Sequence, residues 1–303
     1  MQCLEVLTLL RLLAIEQIMN KAATRGFTLL EAILTIIITG ILASMVAVFI
    51  KVPVDSYADT VRRANLTDAA DVALRRIARD IHAALPNSLR STSSNSNNCV
   101  EFLPVVGGGR YRVALSVTGK GDILDFSKAD ESFDILAGTN LPNFYTAASG
   151  DYHTVIYNLG IDGANAYETP DESEPNSIRA AIKKPDSVNI ESVTNVKLNV
   201  ANQFPFESPG KRFHVIPNYS VVYSCDTVSR KLIRYTRALT STPLSTCPGA
   251  SQGDVLVNNV KTCSFTYTPA VSQRNGLLTM RLGLEKSGES IQLYQEVHVN
   301  NVP

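Results

Sequence analysis

One long stretch of this chain holds a single charged residue, while charged residues are common almost everywhere else. From residue 27 to residue 50 the sequence reads FTLLEAILTIIITGILASMVAVFI, 24 residues in which Glu31 is the only ionisable side chain. As a helix this run is roughly 36 Å long, enough to cross a hydrocarbon core of about 30 Å with some tilt. A buried helix of a soluble core would be shorter or carry a polar stripe. A cleaved secretory signal would have an apolar region of about 7 to 15 residues and a small-residue exit, and neither is present. The run is therefore expected to be a single membrane-spanning helix.

Beyond residue 50 the apolar residues recur at spacings of three and four. Leu66, Ala70, Ala73, Leu74, Ile77, Ile81, Ala84 and Leu85 fall on one helical face, and Arg62, Arg63, Asp71, Arg75, Arg76 and Arg79 occupy the others. This predicts an amphipathic helical arm over 51–86, with Pro53 bending it and Pro86 and Asn87 ending it. The arginine cluster alternates with core-facing residues and has Asp71 and Asp80 nearby, so it reads as a solvated face with local ion pairs. Residues 87–98, ending in STSSNSNN, read as a flexible polar linker.

From residue 99 the period changes. Short runs rich in Val, Ile, Tyr and Phe, such as CVEFLPVV, RYRVALSV, DILDF, YSVVYSC, KLIRYTRAL, GLLTMRLGLE and SIQLYQEVHV, alternate with Gly, Asn, Pro and Asp. They predict a mainly antiparallel β domain over 99–303, with VVYSCDTVSRKLIRYT as one hairpin and Gly107, Gly108 and Gly109 as a turn before Arg110. The stretch 158–185 reads as a loop with acidic Asp162, Glu168, Asp171, Glu172 and Glu174. Its spacing fits no EF-hand, so it reads as solvated rather than calcium-binding. The expected fold class is α+β, a long N-terminal transmembrane and amphipathic helix packed on an antiparallel β domain.

Composition narrows the function classes. The 303 residues hold 28 Lys+Arg and 28 Asp+Glu, so no net charge draws the chain to nucleic acid. Lys21 and Arg25 precede the apolar run, while Lys51 is followed by Asp55 and Asp59, so the N-terminal side should be cytoplasmic and the β domain extracytoplasmic. Disulfides persist there. Of the cysteines beyond the membrane helix, Cys225 ends a strand and Cys247 lies in the loop after the next, which favours Cys225 with Cys247 and leaves Cys99 with Cys263. No cysteine pair has zinc-ligand spacing, so no metal site is expected. The histidines, His82, His153, His214 and His298, are scattered, and no nucleophile-base pattern or phosphate loop appears, so neither a catalytic residue nor a cofactor is expected.

A carboxylate inside a bilayer costs on the order of 2.5 to 3.5 kcal/mol, so Glu31 needs a partner or a function. Its context, Arg25-Gly26-Phe27-Thr28-Leu29-Leu30-Glu31 before an apolar helix, resembles the signal of type IV pilins and type II secretion pseudopilins. The resemblance implies cleavage after Gly26 by a prepilin peptidase and methylation of the new N-terminus at Phe27, with residues 1–26 as leader. It also implies a non-enzymatic subunit, held in the inner membrane by the lipid bilayer and drawn by an assembly platform into a filament with the major pilin and other minor pilins. Cleavage would create an α-amine at Phe27, a cation whose natural counter-charge is the Glu31 carboxylate of a neighbouring subunit, and a buried pair of this kind serves best as a registry device. Pilin-like leaders are short and basic, which favours Met19 as the start and would exclude Cys3. The arm ALRRIARDI resembles that of J and W minor pilins. The arm, the large β domain and the ending LYQEVHVNNVP together resemble the O-type minor pilins of mannose-sensitive haemagglutinin pilus biogenesis. Two alternatives stand beside this reading: a type II secretion J pseudopilin, and a membrane-tethered periplasmic binding protein or enzyme.

Overall fold

The computed structural model describes residues 26–94, 97–139, 149–168, 176–184, 195–269 and 275–303. Residues 1–25 of the expected leader, with Met19, Lys21 and Arg25, lie outside these residues, as do Asp171, Glu172 and Glu174 of the acidic loop. The chain divides into two compact units, residues 1–59 and 60–303. A single α-helix, α1 (Leu29–His82), contributes to both and runs through Pro53 without interruption. It ends four residues before Pro86; Leu85 already donates its N–H to the Leu103 carbonyl at 2.8 Å.

In the first unit the helix exposes apolar side chains all round. Leu29, Ile36, Met45, Phe49 and Val52 are all exposed, and no polar stripe separates them. Within residues 29–50 the hydroxyls are turned inward on the helix itself. Thr35 donates to the Ala32 carbonyl at 2.9 Å, Ser44 to the Ile41 carbonyl at 2.7 Å and Thr39 to the Thr35 carbonyl. Those polar atoms therefore enter an apolar medium already bonded, which is what makes them tolerable there.

In the second unit the helix is amphipathic. Leu66, Ala70, Ala73, Leu74, Ile77, Ala78 and Ile81 are buried. They form one core with Leu278, Met280, Leu282 and Leu284 of β13 (Gly276–Lys286), with Val297 and Val299 of β14 (Glu289–Val299), and with Val221 and Tyr223 of β9 (Tyr219–Asp226). On the helix face Arg75 bonds locally, to Asp71 at 2.7 Å, whereas Asp80 accepts from the Tyr223 hydroxyl and from Arg234, tying helix to sheet.

Three antiparallel sheets complete the unit. The first has the order β1-β2-β9-β10-β11, with β1 (Arg90–Ser94), β2 (Asn97–Phe102), β10 (Lys231–Ala238) and β11 (Asp254–Asn258). The second is β12-β13-β14, with β12 (Val260–Thr268). The third, β6-β5-β8-β3-β4-β7, contains β3 (Gly107–Tyr111), β4 (Asp130–Thr139), β5 (Tyr152–Val155), β6 (Arg179–Ala181), β7 (Asn195–Asn202) and β8 (Arg212–Pro217). The mainly antiparallel α+β class is thus correct, and the hairpin expected at VVYSCDTVSRKLIRYT is β9–β10, in register from Lys231 opposite Asp226.

Three local expectations are corrected. The polar run taken for a flexible linker is an edge strand: Arg90 to Ser94 pair with Glu101 to Asn97. Side chains on an edge strand need not be apolar, and here Arg90 lies 3.0 Å over the Tyr167 ring and Thr92 donates to the Leu244 carbonyl. Gly107, Gly108 and Gly109 are not a turn but strand β3, between β8 and β4. A Cβ on Gly108 would sit 2.7 Å from the Phe213 carbonyl oxygen, so close backbone approach explains the glycine. The run DILDF is not a strand either; its polar groups are tied up in turns, Asp125 accepting from Ser127.

Candidate processing and assembly site at the helix start

Residues 26–28 precede the helix in a non-helical conformation. Gly26 has open space where a side chain would be, and Phe27 is 71% exposed, so the peptide joining them is accessible. Thr28 caps α1. Its Oγ1 accepts the Glu31 N–H at 3.2 Å, and its carbonyl accepts the Ala32 N–H at 3.1 Å. Thr28-Leu29-Leu30-Glu31 has the T-x-x-E spacing of a capping box, and the Thr28 hydroxyl satisfies one otherwise orphaned donor of the first turn. Glu31 is exposed in that same turn, where a carboxylate complements the positive end of the helix dipole. Thr28 was not among the residues expected to matter, although the T-x-x-E spacing that identifies it is local and readable.

The four cysteines of the β unit form two disulfides, Cys99–Cys247 and Cys225–Cys263. This reverses the expected pairing, and the pleat of the sheet is the reason. Cys99 stands opposite Ser224, and Cys225 opposite Asn98, so the two cysteines point to opposite faces of the β2–β9 ladder. Cys225 faces the helix core together with Val221 and Tyr223, within reach of β12. Cys99 faces the other way, with Val222, where the loop after β10 folds over the sheet through Ser224 and the Pro248 carbonyl. Nearness in sequence favours Cys225 with Cys247, but they lie on different sides of the sheet.

The histidines are less scattered than their numbering suggests. His214 on β8 lies opposite Val155, which lies opposite Arg179 on β6; His153 on β5 lies opposite Ile216. His153, His214 and Arg179 therefore share one face of the third sheet. Burial, helped by the Arg179 charge, pulls the His153 pKa down to about 4, and burial with Arg212 does the same for His214. Burial also lowers Arg179 to about 10, and its Nη2 donates to the Glu168 carbonyl at 2.8 Å. These are neutral imidazoles packed into a β core beside a cation, with no carboxylate partner among the described residues. His82 and His298 are exposed and lie on other elements. Among the described residues no group of three or more His, Cys, Asp or Glu side chains is placed to hold a metal ion.

One family model matches the chain, the prokaryotic N-terminal methylation motif, over residues 21–47. No curated protein and no solved structure matches it. The matched segment contains Gly26, Phe27, Thr28 and Glu31 and the first part of the one described helix long and apolar enough to cross a membrane. Motif and helix together support a membrane-anchored, type IV pilin-like protein, processed by prepilin peptidase and assembled with pilin components.

Proposed function

We propose that this chain is a minor pilin. Prepilin peptidase cuts between Gly26 and Phe27 and the new amine of Phe27 is methylated; residues 27–50 hold the subunit in the inner membrane, and the β unit lies on the periplasmic side. The subunit acts in pilus biogenesis of the mannose-sensitive haemagglutinin type, at a priming or tip position among other minor pilins, the major pilin and the assembly platform. It has no catalytic activity of its own. The observation that carries this reading is the Gly26–Phe27 peptide standing exposed just ahead of the capped start of α1, inside the matched methylation motif.

Glu31 supplies the registry of assembly. In the membrane it sits in the first turn, near the headgroup level; in a bundle of apolar helices it neutralises the amine of a neighbour's Phe27. Removing one partner of a buried pair costs about 3 to 5 kcal/mol. Glu31→Ala is therefore expected to lower incorporation into filaments by on the order of a hundredfold or more, while leaving cleavage and membrane insertion intact. The check is the ratio of filament-borne to membrane-borne subunit; equal ratios for variant and wild type would remove Glu31 from assembly.

The reading as a whole is tested by the mature N-terminus. Intact mass and N-terminal sequencing should give N-methyl-Phe27 in the presence of prepilin peptidase and the uncut precursor in its absence. A mature mass that does not depend on the peptidase would instead favour a membrane-tethered periplasmic protein. Gly26→Ile should leave the precursor uncut even when the peptidase is present.

A further inference from the structure

Most strand edges of the β unit are shut. Just beyond β6 the Lys183 N–H donates to the Lys197 carbonyl of β7 at 2.9 Å and Ile182 bridges to Leu198, so the two end strands of the six-stranded sheet cover each other. β1 is five residues long, and its Thr92 hydroxyl holds the Leu244 carbonyl of the loop after β10 against it. β11 is as short and slips register against β10 between Leu232 and Ile233. β12 slips against β13 between Val260 and Thr262 and is tied to β9 by Cys225–Cys263. Short strands, bulges and cover are the means by which proteins keep a sheet edge from pairing with foreign backbone.

β14 has none of these protections. Its 11 residues pair with β13 without a bulge from Glu289 to Val299, and they include no Pro, Lys or Arg. Ser287 and Gly288, with φ of 51° and 86°, form a two-residue turn that makes Lys286 and Glu289 a hydrogen-bonded pair. By alternation, Ser290, Gln292, Tyr294, Glu296 and His298 aim their backbone N–H and carbonyl groups away from β13. β14 is the end strand of its sheet, and no described residue takes up those groups. On the helix side of this edge Ile291 and Leu293 are half-buried at the border of the core. On the other side Tyr294 is 55% exposed and donates its hydroxyl proton to Glu296, which has no ion pair among the described residues.

We infer that β14 receives an extended segment of a different pilus subunit, added as a further strand to the sheet β12-β13-β14. The inference rests on the chain being a pilus subunit and commits its contact with that partner to strand addition at one edge. Main-chain hydrogen bonds along the open ladder supply the affinity. The flanking side chains set the chemistry of the partner. Apolar residues at alternate positions of the incoming strand continue the core beside Ile291 and Leu293, and a Lys or Arg on its other face meets Glu296. A second copy of this chain does not answer that description. β14 itself carries no Lys or Arg for Glu296, and the other described edges are short, bulged or covered, so a head-to-tail contact between copies has no matching strand.

Full-length protein carrying the photoprobe p-benzoylphenylalanine in place of Tyr294 is expressed in piliated cells and illuminated. The expected result is an adduct with a different pilus subunit. Moving the probe to Gln292 should move the attachment point by a pair of residues along the same segment, as strand register requires. Tyr294→Pro removes an N–H that the β13 ladder does not use, and Glu296→Lys reverses the charge offered to the partner. With the probe at Gln292, each should lower adduct yield on the order of tenfold at an unchanged urea midpoint. Amide exchange on the purified chain in detergent should be fast at Gln292, Tyr294 and Glu296 and slow at Leu293 and Gln295. Attachment points that follow no register, an adduct of two copies of this chain, no adduct in filament-borne subunit, yields unmoved by both substitutions, or outward amides already protected in the purified chain would each overturn the inference. The mature N-terminus reports the pilin reading separately. A mass independent of the peptidase defeats that reading and the inference with it, whereas a processed, filament-borne subunit without adducts in register defeats only the strand addition.

Discussion

Replacing Cys99 and Cys247 with alanine is expected to lower the unfolding free energy of the β unit by about 5 kcal/mol, and replacing Cys225 and Cys263 by about 4 kcal/mol. The disulfides span 148 and 38 residues, and closing loops of those lengths in the unfolded chain removes roughly these amounts of conformational freedom. Alanine is the right replacement for Cys225, which is fully buried among apolar side chains where a serine hydroxyl would need a partner. The two bridges also fasten different things. Cys225–Cys263 joins the five-stranded sheet to β12 of the three-stranded sheet beneath the helix face, whereas Cys99–Cys247 fixes the loop after β10 on the opposite face. The spans overlap between residues 225 and 247, so removal of both should cost less than the sum of the two. Urea titration of the full chain in detergent, oxidised and reduced, checks these values. A loss below about 1 kcal/mol for either pair would contradict the chain-constraint account.

What could be read from the sequence follows how local each signal is. The apolar run, the 3.6-residue period from Leu66 to Ile81 and the T-x-x-E cap are each contained within a few turns of helix, and pattern alone carries them. Strands β13 and β14 announce themselves by alternation because one of their faces lies on the helix, and β9, buried on both faces, by a run rich in Val and Tyr. β1 does not, because an edge strand of Ser and Thr buries almost nothing and is held by its ladder to β2. The glycines of β3 read as a turn because only the neighbouring strand reveals what needs the space: the Phe213 carbonyl approaches Gly108 too closely for a side chain. The disulfide partners depended on which face of a sheet each cysteine occupies, and that is set by pairing β2 with β9 across more than a hundred residues of chain. The same holds for His153 and His214, sixty-one positions apart and brought to one face only when β5 pairs with β8.

That last pairing produces a distinct response to acid. Between about pH 6.5 and pH 4 the unfolded chain binds protons at His153 and His214 that the folded chain refuses, so stability must fall as pH falls. Both folded pKa values lie below the ordinary 6.5, so the stability is fully present above pH 6.5. It declines through the interval and is lost by about pH 4. A fall from 6.5 to about 4 is worth about 3 kcal/mol for each residue, and two protons give a slope of at most about 3 kcal/mol per pH unit. Carboxylates act in a lower window. Against the opposing effect of burial, the Asp122 N–H, Asn195 and Arg112 hold Asp134 below its usual range, and the Ser229 and Ala250 donors do the same for Asp226, so their protonation adds its loss only below about pH 4. His153→Asn or His214→Gln should therefore halve the slope between pH 6.5 and 4.5 whatever either substitution does to stability at neutral pH, and the double variant should flatten it. Urea midpoints measured across that interval decide the matter: a wild-type curve already flat from pH 6.5 to 4.5, or a double variant as steep as the wild type, would show that the two imidazoles are not held neutral by the fold.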